Sequence, residues 1–262
     1  MRIAVLLKEV PDTYSDREMN LETGLTDRTG DVVADEVGER AVEAALRIAE
    51  KNEGSVVELI TVGPESAAGS IRKGIAMGAT EAYIISDDAL VGADVTLTAE
   101  ALAAAIRAHD YDLVVAGTAS SDGGGGVMAP LLGELLDYPA LSNLTELEVD
   151  GSTVRATQAG DGATVALEAE LPAVVAVSDE FPNARFPNFK GLMAAKKKEL
   201  HTLTLADLGV DAEDWSRARS IMVSIDRRPA RERGEIIDGN SQAAGKLVDF
   251  LESRGLLTRS RA

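Results

Sequence analysis

"YDLVVAG" at residues 111–117 is a short apolar run that leads into "SDGGGG" at 121–126 and then into "VMAPLLGELLD" at 127–137. The run has the length and composition of a buried strand, and the segment after the glycines has the apolar spacing of a helix. A strand, a loop and a helix in this order make up most of the βαβ unit from which α/β proteins are built. The rest of the chain can be interpreted outward from this unit.

The same unit recurs along the first half of the chain. The predicted strands are 2–7, 55–63, 82–86 and 111–117, and the predicted helices are 36–52, 65–79, 93–110 and 127–137. Alternation of this kind predicts an α/β fold with a doubly wound, mostly parallel sheet that carries helices on both faces.

The pattern changes after Pro139. Residues 144–178 alternate apolar and polar side chains with a period of two, and turn sequences stand at 150–151 and 160–162. This pattern predicts an antiparallel strand extension of the parallel sheet. Its last apolar run, 173–178, is suited to rejoin the main sheet.

The final part of the chain has too few periodic apolar residues for a core of its own. We therefore expect one domain at 1–204 and a C-terminal arm at 205–262. The arm ends in a predicted amphipathic helix at 240–257, with Asn240 as its N-cap and Gly255 at its end. Such a helix packs either on a partner chain or back on its own domain, and the residues alone favour neither.

The composition excludes several classes of protein. The chain has 44 acidic residues against 26 Lys and Arg, and its net charge of -18 disfavours nucleic acid and anionic membranes. It has no cysteine, which excludes disulfides, thiolate catalysis and iron–sulfur ligation. The two histidines, His109 and His201, lie far apart in the sequence without ligand-like neighbours, so no metal site is expected.

The sequence also predicts where the protein works. No apolar run approaches the length of a membrane span, and a strand that starts at Arg2 leaves no room for a signal peptide. We therefore expect a cytoplasmic protein that is not embedded in a membrane. Abundant acids, scarce lysine and only 3% aromatic residues further suggest the cytoplasm of an extreme halophile.

The glycine run is the main candidate for a ligand site. Asp122 and the four glycines after it follow a predicted strand, at the edge of the sheet where ligands bind in such folds. Glycines allow the backbone N–H groups to approach an anion, and the next helix begins there, so phosphate binding is more plausible than a merely flexible turn. The run matches neither the dinucleotide fingerprint nor the P-loop. Lys8 in the loop 7–12 and Asp35 lie at the same edge, where they either contact a nucleotide or are ordinary loop residues.

No catalytic constellation is present, because the chain has neither a nucleophile elbow nor a histidine–carboxylate cluster. A binder or carrier is therefore more consistent with the sequence than a hydrolase.

The other distinctive stretch is "RFPNFKGLMAAKKK" at 185–198, which has five positive charges and no negative one. Its Phe186 and Phe189 are either exposed anchors for an acidic partner or packed inward under a solvated turn, and the residues alone slightly favour the second.

Several stretches together resemble one known family. "VLLKEVPD", "VGPESAAGSIRKGIAMGA" and "LPAVVAVSDEFPNARFPNFKGLMAAKKKEL" are similar to the opening strand, the second helix and the signature of the beta subunit of electron transfer flavoprotein. The resemblance covers nearly the full length and implies an adenine nucleotide alpha hydrolase-like fold. A nucleotide-binding regulatory module of the universal-stress type is the alternative, but that class lacks the basic signature and the tail.

The resemblance implies a non-enzymatic electron carrier. It would pass electrons from flavin dehydrogenases, such as the acyl-CoA dehydrogenases of fatty acid β-oxidation, toward a membrane quinone oxidoreductase, and electron-bifurcating complexes form another branch of the family. An alpha subunit would share FAD with this chain and receive its C-terminal arm. The beta subunit would hold AMP or a second FAD, and the sequence leaves that choice open.

The resemblance also implies site residues. The cofactor-binding set is Leu6, Lys8, Asp35, Val62, Asp94, Thr98, Gly117, Asp122, Gly123, Gly124, Gly125, Gly126, Val127 and Met128. The partner-docking set is Arg185, Phe186, Phe189, Lys190, Met193, Lys196, Lys197 and Lys198, with Phe189 at the anchor position. Glycines replace most of the polar residues that family members carry after Asp122, which leaves backbone N–H groups as the expected phosphate donors.

Overall fold

The computed structural model describes residues 1–237, 239 and 241–257. The chain divides into two compact units, Met1–Ile225 and Asp226–Ala262. Residues 205–225, which the sequence assigns to the arm, belong to the first unit because Leu205 is buried in its core and Arg219 forms an ion pair with Glu100.

The first unit is built on a nine-stranded sheet. Its strands are β1 (Arg2–Leu6), β4 (Val56–Val62), β5 (Glu81–Ile85), β6 (Leu113–Gly117), β7 (Ala140–Asp150), β8 (Thr153–Gly160), β9 (Ala163–Glu170), β10 (Ala173–Val177) and β11 (His201–Leu203), and β2 (Glu9–Pro11) and β3 (Val32–Ala34) form a separate ribbon. The helices are α1 (Glu36–Lys51), α2 (Ala68–Met77), α3 (Val95–Arg107), α4 (Met128–Leu136), α5 (Phe189–Lys197), α6 (Leu205–Leu208) and, in the second unit, α7 (Ala243–Ser253).

The strand order confirms the doubly wound prediction. The order is β11-β5-β4-β1-β6-β10-β7-β8-β9, and every pair from β11 to β7 is parallel. The chain therefore leaves β1 in one direction, toward β4 and β5, and then crosses back to β6 on the other side of β1. Ile3, Ala4 and Val5 are fully buried because helices cover both faces of β1.

The antiparallel extension is also confirmed. Strands β7, β8 and β9 pair in antiparallel fashion at one edge of the sheet. The apolar run predicted to rejoin the main sheet does so as β10, which lies parallel to both β6 and β7. All five residues of β10 are buried, which explains why that run does not alternate.

Three local predictions need correction. The predicted loops before and after residues 12–31 contain β2 and β3, which pair to form an antiparallel ribbon. The expected extended or turn-like segment at 182–188 contains no helix or strand, as predicted, but the basic stretch continues into α5, which was not predicted. Helix α7 begins at Ala243, later than predicted, and the predicted cap Asn240 lies outside the described residues; Gly255 follows the helix with a φ of 69°.

Within the part of the chain that the structure describes, no helix is both long and apolar enough to cross a membrane.

Candidate functional site

The candidate site lies at the carboxyl ends of β1 and β6. These two strands flank the point where the strand order reverses, which is where ligands bind in open α/β sheets. Lys8 follows β1, and residues 118–127 follow β6 as a loop that leads into α4. The beginning of α1 reaches the same place, because Asp35 contacts the loop after β6.

The glycine loop, residues 123–126, has a conformation that only glycine adopts easily. Gly124 and Gly126 have φ values of 59° and 66°. The N–H of Gly123 donates to Ser120 Oγ at 3.3 Å and to Asp122 Oδ1 at 2.6 Å, and the N–H of Gly124 donates to Ser120 O at 2.9 Å. These bonds close the turn on its inner side.

The outer side of the glycine loop is open. A Cβ atom built on Gly124 would meet nothing within 4 Å, and one on Gly125 would meet only Val127 Cγ2, at 3.9 Å. Among the described residues, no side chain caps the first turn of α4, whose N-cap is Val127. The loop therefore offers open space beside backbone donors, which suits a phosphate group.

Asp122 is the centre of a charged cluster beside the glycine loop. Lys8 Nζ lies 2.8 Å from Asp122 Oδ1, and Arg28 Nη2 lies 2.6 Å from Asp122 Oδ2. The Asp122 side chain is only 4% exposed. Burial by itself would raise the pKa of Asp122, but hydrogen bonds from Lys8, Ser120 and Arg28 and the charge of Lys8 outweigh it and hold the pKa far below its usual range.

Two arginines from the loop 12–31 reach this cluster. Arg28 Nη1 donates to the carbonyl of Glu9 at 3.0 Å while its Nη2 holds Asp122. Arg17 Nη1 donates to the carbonyl of Ser121. The sequence reasoning missed Arg17, Arg28 and Ser120, because nothing in their spacing indicates that the loop folds back over the end of β6.

Asp35 and Gly117 have roles inside the protein. Asp35 is buried, and its Oδ2 accepts from Gly38 N at 3.1 Å as the N-cap of α1 while its Oδ1 accepts from Ser121 N at 2.8 Å. A Cβ atom on Gly117 would lie 3.1 Å from the carbonyl carbon of Val37, so this glycine allows β6 to approach α1. These contacts give both residues a structural role, and the cofactor contact that the resemblance implies for them stays a prediction.

Asp94 and Thr98 are likewise engaged within the chain. Asp94 Oδ1 accepts from the N–H groups of Thr96 and Leu97 at 3.1 and 2.9 Å, and its Oδ2 accepts from Ser220 N at 2.6 Å. Thr98 Oγ1 donates to the carbonyl of Asp94 at 2.8 Å. The expected cofactor residues of this segment therefore cap α3 and hold residues 218–220 against its first turn.

The remaining expected cofactor residues line the same edge of the sheet. Leu6 and Val62 are the half-buried last residues of β1 and β4, and Val127 and Met128 stand where the glycine loop becomes α4. Their positions agree with a site at this edge of the sheet.

The basic stretch presents its aromatic residues to solvent. Phe186 is 95% exposed and Phe189 is 80% exposed, with Leu192 and Met193 also exposed on α5. Asn188 caps α5 by accepting from Gly191 N at 2.8 Å. The inward packing that the residues alone favoured for Phe186 and Phe189 is wrong, and Leu192 extends the apolar surface beyond the predicted set.

Two arginines hold this stretch on the domain. Arg185 Nε donates to Glu43 Oε2 at 2.7 Å, and Arg185 also forms an ion pair with Glu50. Arg72 Nη1 donates to the carbonyls of Ala195 and, at 2.8 Å, Lys198, near the C-terminus of α5. Arg185 is thus engaged within the chain, and the docking role that the resemblance implies for it stays a prediction.

The lysines of α5 divide into two groups. Lys198 Nζ lies 2.6 Å from Glu81 Oε1, so it forms an ion pair within the chain. Lys190, Lys196 and Lys197 are exposed and make no ion pair with the residues that the structure describes. These three lysines, together with Phe186, Phe189, Leu192 and Met193, form what we call the α5 surface.

The two histidines do not remain apart in the fold. His109 and His201 both contact the ring of Tyr83, with centroid distances of 4.5 and 5.1 Å. Among the described residues, no group of three or more His, Cys, Asp or Glu side chains is placed to hold a metal ion.

The comparison with known proteins defines the class first. The family model described as "Electron transfer flavoprotein domain" matches residues 23–208 of this chain. The fold therefore belongs to a family of electron carriers.

Individual relatives identify the subunit. The electron transfer flavoprotein subunit beta of Mycobacterium bovis is 39% identical over 97% of this chain and 99% of its own length, and that of Bacillus subtilis is 33% identical over 97% and 98%. The caffeyl-CoA reductase-Etf complex subunit CarD of Acetobacterium woodii is 31% identical over 98% of this chain and its full length. The chain belongs to the electron transfer flavoprotein beta-subunit family.

Proposed function

We propose that this chain, paired with an alpha subunit, carries electrons from flavin dehydrogenases such as acyl-CoA dehydrogenases toward a membrane quinone oxidoreductase. The observation that carries the proposal is the α5 surface, because it presents two exposed phenylalanines beside three exposed lysines on a protein of net charge -18. Exposed aromatic anchors in a positive setting suit a transient interface with an acidic partner.

The glycine loop supports an adenine nucleotide as the ligand of this subunit. The residues fit such a group, since open space lies beside Gly124 and Gly125 and no side chain caps the start of α4, whose N-terminus favours an anion. AMP and a second FAD share the adenosine phosphate that this loop would hold. The flavin shared with the alpha subunit would supply the redox chemistry, while this chain binds, orients and shields its ligands.

The arm supports assembly with the alpha subunit. Helix α7 carries Leu247, Val248 and Phe250, each about half exposed. An apolar stripe of this kind stabilises a helix only when another surface covers it. We assign that surface to the alpha subunit, in a heterodimer that works in the cytoplasm.

The surface charge supports adaptation to a salt-rich cytoplasm. Eighteen uncompensated negative charges repel one another at low ionic strength, and salt screens that repulsion. The melting temperature of the heterodimer should therefore rise steeply between low and molar KCl, and a protein that melts at the same temperature in both would contradict this assignment.

A direct experiment tests the carrier function. The heterodimer should accept electrons from an acyl-CoA dehydrogenase, and the double variant Phe186→Ala/Phe189→Ala should raise the KM for the heterodimer as electron acceptor at least about tenfold. The flavin content should not change. A matched pair of exposed apolar residues elsewhere, Val165→Ala with Val91→Ala, should leave the KM unchanged. An unchanged KM in the phenylalanine variant would contradict the docking role.

A further inference from the structure

The glycine loop has no side-chain donors of its own. Four glycines occupy positions 123–126, and the N–H groups of Gly123 and Gly124 are already bonded within the turn, which leaves the N–H groups of Gly125 and Gly126 as the loop's candidate donors. A phosphate bound only by exposed backbone amides would lack charge neutralisation, which arginine and lysine side chains normally provide. The missing positive charge must come from outside the loop.

Three cations converge on the loop from other segments. Lys8 comes from the end of β1, and Arg17 and Arg28 come from the loop 12–31 between β2 and β3. They converge in a chain in which acids outnumber Lys and Arg by 44 to 26. Arg28 is fixed at both ends of its guanidinium, because one nitrogen holds the Glu9 carbonyl and the other holds Asp122.

Asp122 shows what this cluster prefers to bind. Its buried carboxylate accepts from Lys8 Nζ at 2.8 Å, from Arg28 Nη2 at 2.6 Å and from the N–H of Gly123 at 2.6 Å. Two cations and one backbone amide around two oxygens form the donor set that also suits a phosphate group. The position is therefore built for negative charge.

We propose that Arg17 and Arg28 are phosphate-binding residues of the nucleotide site, supplied by the loop 12–31 in place of the side chains that the glycine run lacks. Asp122 is the internal counter-ion that fixes Lys8 and Arg28 beside the loop. This inference rests on the proposed adenine nucleotide site, and its ligand class is an adenosine mono- or diphosphate moiety.

The experiment uses the heterodimer after removal of its bound nucleotides. AMP, ADP and adenosine serve as probes, because they share the adenosine part and differ in phosphate, and their dissociation constants are measured by calorimetry. Whichever of AMP and ADP binds more tightly should bind about tenfold more weakly to Arg17→Gln and to Arg28→Gln, as measured by its dissociation constant, since each variant removes one charged hydrogen bond. The affinity for adenosine should stay within about twofold. Arg28→Lys should recover part of the loss, because it keeps the charge and loses the fork.

Arg155→Gln is the matched control. Arg155 lies on β8 in the antiparallel extension, where it pairs with Glu168 and Asp150. Arg155→Gln therefore removes one positive charge, as the other variants do, but away from the glycine loop. It should leave all three affinities unchanged. Melting temperatures of all variants in the absence of nucleotide show whether the loop 12–31 is still folded.

The outcomes distinguish a failure of the proposed nucleotide site from a failure of the role of Arg17 and Arg28. If the original heterodimer releases no adenine compound beyond the shared FAD and binds neither AMP nor ADP, the proposed nucleotide site and this inference both fail. If it binds them and the arginine variants bind them equally well, only the role of Arg17 and Arg28 fails. An equal loss for adenosine and for its phosphates would also overturn the inference, because it would indicate a general change in the loop.

Discussion

We expect the buried carboxylate of Glu43 to fix the basic stretch on the domain. Glu43 is only 3% exposed on α1. Its Oε2 accepts from the backbone N–H of Arg185 at 3.1 Å and from Arg185 Nε at 2.7 Å, and its Oε1 accepts from Arg47 Nε at 2.6 Å. Burial alone would raise the pKa of Glu43, but the bonds from Arg185 and Arg47 outweigh it and lower the pKa.

The variant Glu43→Gln replaces this acceptor with a neutral amide that turns one N–H group toward an arginine. Loss of one partner from a fully buried ion pair costs about 3–5 kcal/mol, but Arg47 and Arg185 are both partly exposed, which reduces the cost. We expect a loss of about 2 kcal/mol in the free energy of unfolding. With a urea m-value of about 3 kcal/mol/M, the midpoint should fall by roughly 0.7 M.

Glu50→Gln is the control, because Glu50 also pairs with Arg185 but its side chain is 59% exposed. It should cost less than about 1 kcal/mol. Urea unfolding of the heterodimer measures stability, and the KM for electron transfer from a dehydrogenase measures how well the α5 surface is held. The reasoning is refuted if the two variants destabilise equally, or if Glu43→Gln lowers stability without raising the KM.

Three further predictions follow from other contacts. Asp122 and Glu43 have lowered pKa values, so their ionised forms stabilise the fold at any pH above the ordinary carboxyl pKa of about 4, and this stabilisation is lost as the pH falls further. Urea unfolding at pH 7, 5, 4 and 3 should show the loss, and Asp122→Asn should make the decline in stability shallower. Gly191→Ala should displace α5 from α2, because the new Cβ would clash with the carbonyl oxygen of Ala76. Overpacking of this kind costs about 1–3 kcal/mol, so an unchanged melting temperature would contradict the close approach of these two helices. Arg219→Gln removes the guanidinium that binds Glu100 at 2.7 and 2.9 Å, so the segment 218–220 should become more susceptible to limited proteolysis. Arg217→Gln, at an exposed pair, should leave the cleavage rate unchanged.

Hydrophobic pattern accounts for most of what the sequence predicted about the fold. Runs such as "RIAVLL" and "AVVAVS" are continuous because both faces of β1 and β10 are covered, and the extension alternates because β7 to β9 lie at the edge. Short elements without a period were missed. The ribbon of β2 and β3 has three residues on each side and is held by pairing across the loop 12–31, which leaves no periodic signal.

The candidate site was predictable in position and not in its contacts. A glycine run after a buried strand indicates the carboxyl edge of the sheet, and the structure has the glycine loop there. The tertiary structure decides which charged side chains form ion pairs within the chain. Arg185 pairs with the buried Glu43, whereas the neighbouring Phe186 is exposed to solvent. The approach of Arg17 and Arg28 depends on the path of a long loop, which no local pattern encodes.

The nucleotide content of the purified heterodimer tests the central claim most directly. Acid release followed by chromatography counts FAD and AMP for each alpha–beta pair. The account predicts the FAD shared with the alpha subunit plus a further adenine nucleotide, AMP or FAD, and predicts that Gly126→Val, at a φ of 66°, loses the further nucleotide while it keeps the shared FAD. A heterodimer that contains the shared FAD and no other adenine compound would contradict the account.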